Sequence, residues 1–405
     1  MYMKSISASR RSQAGAVSLF VVVFAMLLIT VVTTSFLRLM MNDQNQASNA
    51  DLSRSAYDSS MAGVEDAKRA LILYKKTCIE QGQAACSAMA ARINRDECNA
   101  ALKVGNLVNG GAETGGTGGK PGEIRVQQSN VGDRVLDQAY TCVKVSLETP
   151  DYTGTLGSGT SQLVPLTGIS NFDSVTLSWF SLDDVSNGRM NLPATGQYLN
   201  EQSAWPTNRP PVMRAQLMQF GSGFRLSDFD AMTPSGESNA NTLFLYPTSR
   251  VSAASREFTV NDPRATTSNR TTPIDSELNT PLPVRCQANI ATSGGYSCSV
   301  RLVLPTPIGG GDRTAYLRLT TFYGASHYQV TLNNGTGGVV NFKDIQPAID
   351  STGRANDAFR RVVTRVGLVD TAFPYPEAAV DLTGNFCKDF GVTPTAYIDD
   401  GTCVR

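Results

Sequence analysis

The hydrophobic positions of this chain follow three different patterns from the N-terminus to the C-terminus. Residues 16–37 form an apolar run without a charge, residues 47–74 carry apolar side chains at steps of three and four, and later stretches alternate apolar with polar. These spacings are typical of a membrane helix, an amphipathic helix and a half-buried strand, respectively. The pattern therefore predicts an α+β fold in which a long N-terminal helix precedes β structure.

The apolar run is long enough to cross a membrane. As a helix it would extend about 33 Å, close to the thickness of a bilayer hydrocarbon core. A cleaved signal peptide has a shorter apolar region and a small-residue cleavage site, which the sequence from Arg38 to Met41 does not supply. Because Lys4, Arg10 and Arg11 precede the run, we expect the N-terminus in the cytoplasm and the C-terminal domain outside.

The helix is expected to continue beyond the membrane. Residues 42–77 contain no proline and a single glycine, Gly63. Apolar side chains form the stripe of an amphipathic helix at Ala47, Ala50, Tyr57, Met61, Val64, Ala67, Leu71 and Tyr74. A helix from Ala16 to about Lys76 would be roughly 90 Å long. Gly63 costs about 1 kcal/mol relative to alanine in a helix, and close packing against the globular domain would explain its presence.

The N-terminal features together resemble a known family. A basic leader ends in Gly15, Ala16 follows, and the apolar helix begins at once in RRSQAGAVSLF. This arrangement resembles a type IV prepilin. The stretch SAYDSSMAGVEDA, residues 55–67, is similar to the A-[FY]-x-A-x-x-A-G-[LIV]-x-x-A segment of PilX-like minor pilins. The resemblance covers about the first 75 residues.

The resemblance implies processing and assembly. A prepilin peptidase would cut between Gly15 and Ala16 and methylate the new N-terminus; the pilus assembly platform would then move the helix from the lipid bilayer into a filament of other pilin subunits. Most pilins carry Glu as the fifth mature residue, and Phe20 occupies that position here. An ionised Glu in lipid is costly without a partner, and its absence is shared by some minor pilins and pseudopilins at filament tips. The resemblance thus favours a tip or priming subunit.

The sequence patterns divide the chain into five segments. We predict a leader (1–15), a transmembrane and polymerisation helix (16–40), an amphipathic extension (41–77), a cysteine-containing helical segment with a glycine-rich linker (78–122), and an antiparallel β-rich domain (123–405). Alternation in Ser299–Leu304 is typical of its strands. We expect a β-sandwich, with a short helical piece near Asp357–Arg361.

Eight cysteines, an even number, all follow the membrane segment: Cys78, Cys86, Cys98, Cys142, Cys286, Cys298, Cys387 and Cys403. If the cysteines lie on the oxidising outer side of the membrane, their even number predicts disulfides. Structural zinc sites use cysteine pairs separated by about two to four residues, and no two cysteines of this chain are that close, so a zinc site is not favoured. Short separations favour the pairs Cys286 with Cys298 and Cys387 with Cys403. The other four allow three pairings, which the sequence leaves open.

The formal net charge is zero, so no nucleic-acid partner is predicted. The only histidine, His327, has no nucleophile motif nearby and is interpreted as structural or exposed. The acidic pairs Asp183-Asp184 and Asp399-Asp400 are interpreted as solvated turns. We therefore predict no enzyme and no cofactor or metal.

Three weaker motifs are interpreted structurally. GGTGGK lacks the glycine and the Ser or Thr of a phosphate-binding loop and is a linker. Possible calcium oxygens occur at Asp350, Thr352, Asn356 and Asp357, but without the EF-hand order, and a turn with a helix N-cap is favoured. A possible adhesive patch of Phe220, Phe224 and Phe229 is better explained by core packing around a turn at 221–223.

The sequence favours a structural function. We predict a minor subunit, at the tip or as a primer, of a type IV pilus or related filament, with an outer domain that can display an adhesive surface. The alternative is an uncleaved membrane-anchored surface adhesin or binding protein that does not polymerise. The two differ in whether the mature chain starts at Ala16 or at Met1.

Overall fold

The computed structural model describes residues 14–106, 122–127, 138–185, 190–193, 202–219, 242–249, 257–259, 282–290, 295–312 and 315–368. The chain divides into two compact units. The first contains Met1–Ser146 and Ala348–Val366, and the second contains Leu147–Pro347 and Gly367–Arg405. The strands that follow residue 123 are thus shared between two units rather than forming one domain. The sheet of the first unit is formed by strands that precede and follow the second unit in sequence. This sheet covers the buried stripe of the first unit's helix.

Two helices and fifteen strands account for most of the described residues. The helices are α1 (Ala14–Glu80) and α2 (Gly82–Ile93), followed by a 3₁₀ turn at Ala101–Asn106. The strands are β1 (Ile124–Gln127), β2 (Gln138–Thr149), β3 (Tyr152–Leu156), β4 (Ser161–Pro165), β5 (Phe172–Ser181), β6 (Val212–Gln219), β7 (Thr242–Thr248), β8 (Glu257–Thr259), β9 (Leu282–Arg285), β10 (Tyr296–Ile308), β11 (Ala315–Phe322), β12 (Ser326–Asn333), β13 (Val339–Val340), β14 (Phe342–Ala355) and β15 (Ala358–Arg365).

The first unit combines helix α1 with a four-stranded sheet in the order β1-β2-β14-β15. Strand β1 pairs antiparallel with β2, and β14 pairs antiparallel with β15. Just before β1, the buried carboxylate of Glu123 accepts two hydrogen bonds from Arg354 of β14, at 2.9 and 2.6 Å. Because removing one member of a buried ion pair leaves an uncompensated charge, this pair fixes the start of β1 on the sheet.

The predicted helical piece at Asp357–Arg361 is wrong, because these residues form a β-hairpin. Ala355 pairs with Ala358, so Asn356 and Asp357 form a two-residue loop between β14 and β15. Asn356 has a φ of +50°, and asparagine is among the residues that tolerate this left-handed region in hairpin turns. Cross-strand pairing with β14 then outweighs the weak local helix signal.

The second unit is a β-sandwich. One sheet has the order β13-β12-β5-β10-β8, with β3 also paired to β12, and the other has the order β4-β11-β6-β7-β9. Buried side chains of both sheets form one hydrophobic cluster that includes Leu177 and Trp179 of β5 and Leu317 of β11. The alternation of buried residues along β12, from Tyr328 to Val330 to Leu332, has the period of two expected for such a strand.

Two strand pairs depart from the predicted antiparallel arrangement. Strand β8 runs parallel to β10, and β9 runs parallel to β7. Both β8 and β9 are short and lie at the ends of their sheets. Parallel neighbours need a long connection, and the 33 residues between Thr248 and Leu282 provide one for β7 and β9.

Candidate membrane and assembly helix

The first half of helix α1 presents large apolar side chains that nothing in the described chain covers. Phe20 is 80% exposed, and the exposed residues continue through Met41. They include Leu19, Val21, Phe24, Met26, Leu27, Leu28, Ile29, Val31, Val32, Phe36, Leu37, Leu39 and Met40. The helix is long and apolar enough to cross a membrane, by length and composition, and its most apolar window has no buried residue.

Three threonines within this apolar half have satisfied hydroxyl groups. Thr30, Thr33 and Thr34 each donate a hydrogen bond to the carbonyl oxygen four residues earlier, at 2.6 to 2.7 Å. A polar group without a partner is costly in hydrocarbon, and back-bonding to the helix avoids that cost. The signal for these bonds is present in the sequence, because a threonine hydroxyl in a helix can reach the carbonyl oxygen four residues earlier.

The predicted processing positions lie at the start of α1. The helix begins at Ala14, so the bond between Gly15 and Ala16 lies in its first turn. Residues 1–13 of the predicted leader lie outside the described residues. No ionisable residue follows Phe20 in the helix until Arg38. The apolar half thus offers no carboxylate between positions 20 and 37.

The second half of α1 packs on the sheet of the first unit, and most of its buried residues are small. Ala56, Ser59, Ser60, Gly63, Val64, Ala67, Ala70, Leu71 and Tyr74 are buried. The predicted stripe is therefore correct from Val64 to Tyr74. It is wrong at Tyr57, which is exposed, and at Ala47 and Ala50, which lie in the exposed part of the helix.

Glycine allows close contact from both sides of this packing. A Cβ atom on Gly63 would lie 2.5 Å from Ser351 Oγ and 2.8 Å from Val143 Cγ2. A Cβ atom on Gly353 would lie 2.2 Å from the backbone oxygen of Ala56 and 2.2 Å from the backbone nitrogen of Ser60. We call the contact of Ala56, Ser60 and Gly63 with Ser351 and Gly353 the helix–sheet seam. Gly63 therefore permits the close packing expected from the sequence.

Hydrogen bonds hold the same contact. Ser351 Oγ donates to the carbonyl oxygen of Ser60 at 2.7 Å, and Tyr140 Oη donates to Asp66 Oδ2 at 2.7 Å. Burial, reinforced by the hydrogen bond to the Asp66 carboxylate, raises the pKa of the Tyr140 phenol well above its ordinary value. The phenol is thus held in its neutral, donating form.

Disulfides fix the end of α1. Cys78 of α1 is bonded to Cys86 of α2, and Cys98 is bonded to Cys142 of β2. The structure thereby selects one of the three pairings that the sequence left open. The residue after Cys98, Asn99, exchanges hydrogen bonds with the backbone of Val143 at 2.8 and 2.9 Å. The chain after α2 is thus tied to the sheet that covers α1.

The remaining cysteines belong to the second unit. Cys286 and Cys298 form a disulfide that also spans an isolated β-bridge. This is the local pair that their short separation favoured. Cys387 and Cys403 lie outside the described residues.

Asp184 is not a solvated turn residue, so that interpretation is wrong for it. Its side chain is 8% exposed and lies 2.7 Å from Nδ1 of His327. It also accepts hydrogen bonds from the backbone nitrogens of Ser181 and His327, at 2.8 and 3.0 Å. Asp184 thus links the end of strand β5 to the start of β12 through hydrogen bonds. Its contact with the His327 ring gives that histidine a structural role. Asp399 and Asp400 lie outside the described residues.

The residues considered as possible calcium ligands belong to the β14–β15 hairpin. Asp350 accepts two hydrogen bonds from the guanidinium of Arg361 across the hairpin. Thr352 lies in β14, and Asn356 and Asp357 form the hairpin loop. No group of three or more His, Cys, Asp or Glu side chains that could hold a metal ion occurs among the described residues. Phe220, Phe224 and Phe229 lie outside them.

Comparison of the chain with protein-family models, with curated proteins and with solved structures finds no match. The geometry of α1 therefore carries the functional argument.

Proposed function

We propose that this chain is a structural minor subunit of a type IV pilus or a related filament, acting at the tip or as a primer, without catalysis of its own. One observation carries the proposal: a single 67-residue helix is exposed and apolar in its first half and clamped to a sheet in its second. An apolar helix fixed to the sheet of the first unit can enter a filament with that unit attached.

Assembly would exchange one apolar environment for another. In the membrane the side chains of residues 19–41 contact lipid, and in a filament they would contact the apolar halves of other pilin helices. Apolar surface stays out of water in both states, so the exchange carries no large hydration cost. The partners of this step are the prepilin peptidase, the assembly platform, the bilayer and other pilin subunits.

Phe20 supports a terminal position in the filament. A glutamate at this position needs a positive partner on a neighbouring subunit, because a buried unpaired charge is expensive. Phe20 carries no charge, so the helix can stand where no such neighbour is present. Exposure of the second unit at a tip would then allow it to display a binding surface.

Mass spectrometry of the N-terminus tests the proposal. Protein from membranes and from sheared filaments should yield an N-terminal peptide that begins at methylated Ala16, and Gly15→Val should accumulate in membranes starting at Met1. The matched control Ala47→Val, at an exposed position of α1, should be processed normally. A wild-type chain that starts at Met1 and occurs only in membranes would contradict the proposal and support the anchored adhesin.

The role of Phe20 is tested by Phe20→Glu. We expect the variant to enter filaments along their length rather than once at the end, because the new carboxylate can pair with a neighbouring N-terminal amine. Gold labelling of filaments counts the copies and their positions. Unchanged labelling of a single end would contradict our explanation of Phe20.

A further inference from the structure

A pocket of about 500 Å³ opens on the second unit between two short segments of chain. Its lining is half polar and half apolar, formed by Met190, Asn191, Leu192, Pro206, Thr207 and Asn208. The volume falls within the range of roughly 300–1,000 Å³ that is typical of small-molecule sites. Among the described residues that line it, no side chain is ionisable, and the amide and hydroxyl groups offer hydrogen bonds without a formal charge.

A buried arginine orients one of these polar side chains. Arg209 is 8% exposed and donates from Nη2 to Asn191 Oδ1 at 2.9 Å and from Nε to the Asn191 carbonyl oxygen at 3.2 Å. A guanidinium has donors only, so the amide oxygen of Asn191 must face it. The two hydrogens of Asn191 Nδ2 remain, and no residue in the described ranges accepts them.

Aromatic rings hold Arg209 in place. Its guanidinium carbon lies 5.1 Å from the ring centre of Trp205, and Trp205 is stacked on Tyr323 at 4.4 Å. The indole Nε1 of Trp205 and the Oη of Tyr246 are buried and have no hydrogen-bond partner within the described chain. The ring contacts restrain the guanidinium of Arg209, and its positive charge strengthens the Asn191 amide as a donor.

We propose that this pocket binds a saccharide. The amide of Asn191 would donate to a ring hydroxyl, the Thr207 hydroxyl would bind a second one, and the apolar C–H face of the pyranose would lie on Met190, Leu192 and Pro206. A purely apolar ligand would leave the amide donors without partners, which is unfavourable. This inference does not rest on the pilus proposal, since it concerns the second unit alone.

Ligand-observed saturation-transfer NMR tests the site on the full chain. The chain is placed in phosphatidylcholine and phosphatidylglycerol nanodiscs, because detergents with sugar headgroups would compete. The probes are free glucose, galactose, mannose, N-acetylglucosamine and lactose. We expect transfer to at least one of them.

Two variants locate the binding. Asn191→Asp keeps an acceptor for Arg209 but removes the amide donors, and Thr207→Val removes the hydroxyl at nearly constant shape. Each should weaken binding at least tenfold. The matched control Thr155→Val, at an exposed position of β3, should leave it unchanged. No transfer to any probe at 10 mM, or equal transfer in wild type and both pocket variants, would overturn the proposal.

Discussion

Residues 19–41 and residues 56–74 of helix α1 share one backbone but differ in side-chain size and in what covers them. The first stretch carries Phe, Leu, Ile, Met and Val side chains that the described chain leaves exposed. The second buries Ala, Ser and Gly where Gly353 of β14 meets the helix backbone, and the larger Val64, Leu71 and Tyr74 further along. Large apolar side chains thus remain exposed in the first stretch, while small ones in the second let the helix backbone approach its own sheet.

The largest effect is expected from Gly353→Val, which would break the helix–sheet seam. The new side chain would meet backbone atoms of α1, which cannot move aside as a flexible side chain can. We expect a loss of about 4 kcal/mol or more in the stability of the first unit, at the upper end of single-substitution effects. Hydrogen exchange of peptides from residues 56–74, followed by mass spectrometry, measures this loss.

Gly157→Ala serves as the control for Gly353→Val. A Cβ atom there would make only ordinary contact with Thr160, at 3.4 Å. Its effect on exchange in residues 56–74 should be negligible. Equal exchange in the Gly353 variant and the control would show that the seam does not hold the helix.

The same charge should disfavour membrane insertion in the first half of α1 and leave it unchanged in the second. Leu28→Arg places a cation in the apolar half and should disfavour membrane insertion by about 3 kcal/mol. Ile72→Arg places one on the second half at a position that is 67% exposed, and insertion should be unchanged. A glycosylation-mapped insertion assay compares the two variants, and equal insertion would refute the assignment of the first half to lipid.

Gly63→Ala distinguishes packing from helix propensity by the sign of its effect. Alanine is favoured over glycine by about 1 kcal/mol in an exposed helix. In the seam, however, the added methyl group would crowd Ser351 and Val143, and we expect a net loss of roughly 1–2 kcal/mol. Urea unfolding of the first unit provides the measurement. A gain in stability would mean that the seam is looser than described.

The smallest effect concerns pH. Because burial raises the pKa of Tyr140, its contribution is fully present below the unfolded pKa of about 10 and declines as the pH rises above it. The stability difference between wild type and Tyr140→Phe should therefore be constant from pH 7 to 9 and shrink toward pH 11. Unfolding measured over this range tests the prediction, and a constant difference up to pH 11 would contradict it.

Local patterns predicted the parts of the fold that depend on large side chains. Val64, Leu71 and Tyr74 are buried where helical spacing placed them, since a large apolar side chain in a helix needs cover. Alternation in Ser299–Leu304 likewise predicted a strand, and these residues lie in β10.

The seam and the polar pairs depend on residues far apart in sequence. Ala56 and Ser60 are buried because Gly353, almost 300 positions later, approaches the helix, and no pattern within the helix contains that information. The same applies to Asp184 and His327, which are separated by 143 positions. Asn356 is different, because its turn preference was visible locally but was assigned to a helix cap.

Position-specific photo-crosslinking tests the difference between the two halves of α1 most directly. A photoreactive phenylalanine analogue would replace Phe20 in one variant and Ile72 in another, and sheared filaments would be irradiated. We predict that the analogue at position 20 forms a covalent adduct with another pilin subunit, since the apolar half would lie among neighbouring helices. Failure of position 20 to crosslink to any protein, with the chain confined to the membrane fraction, would contradict the account.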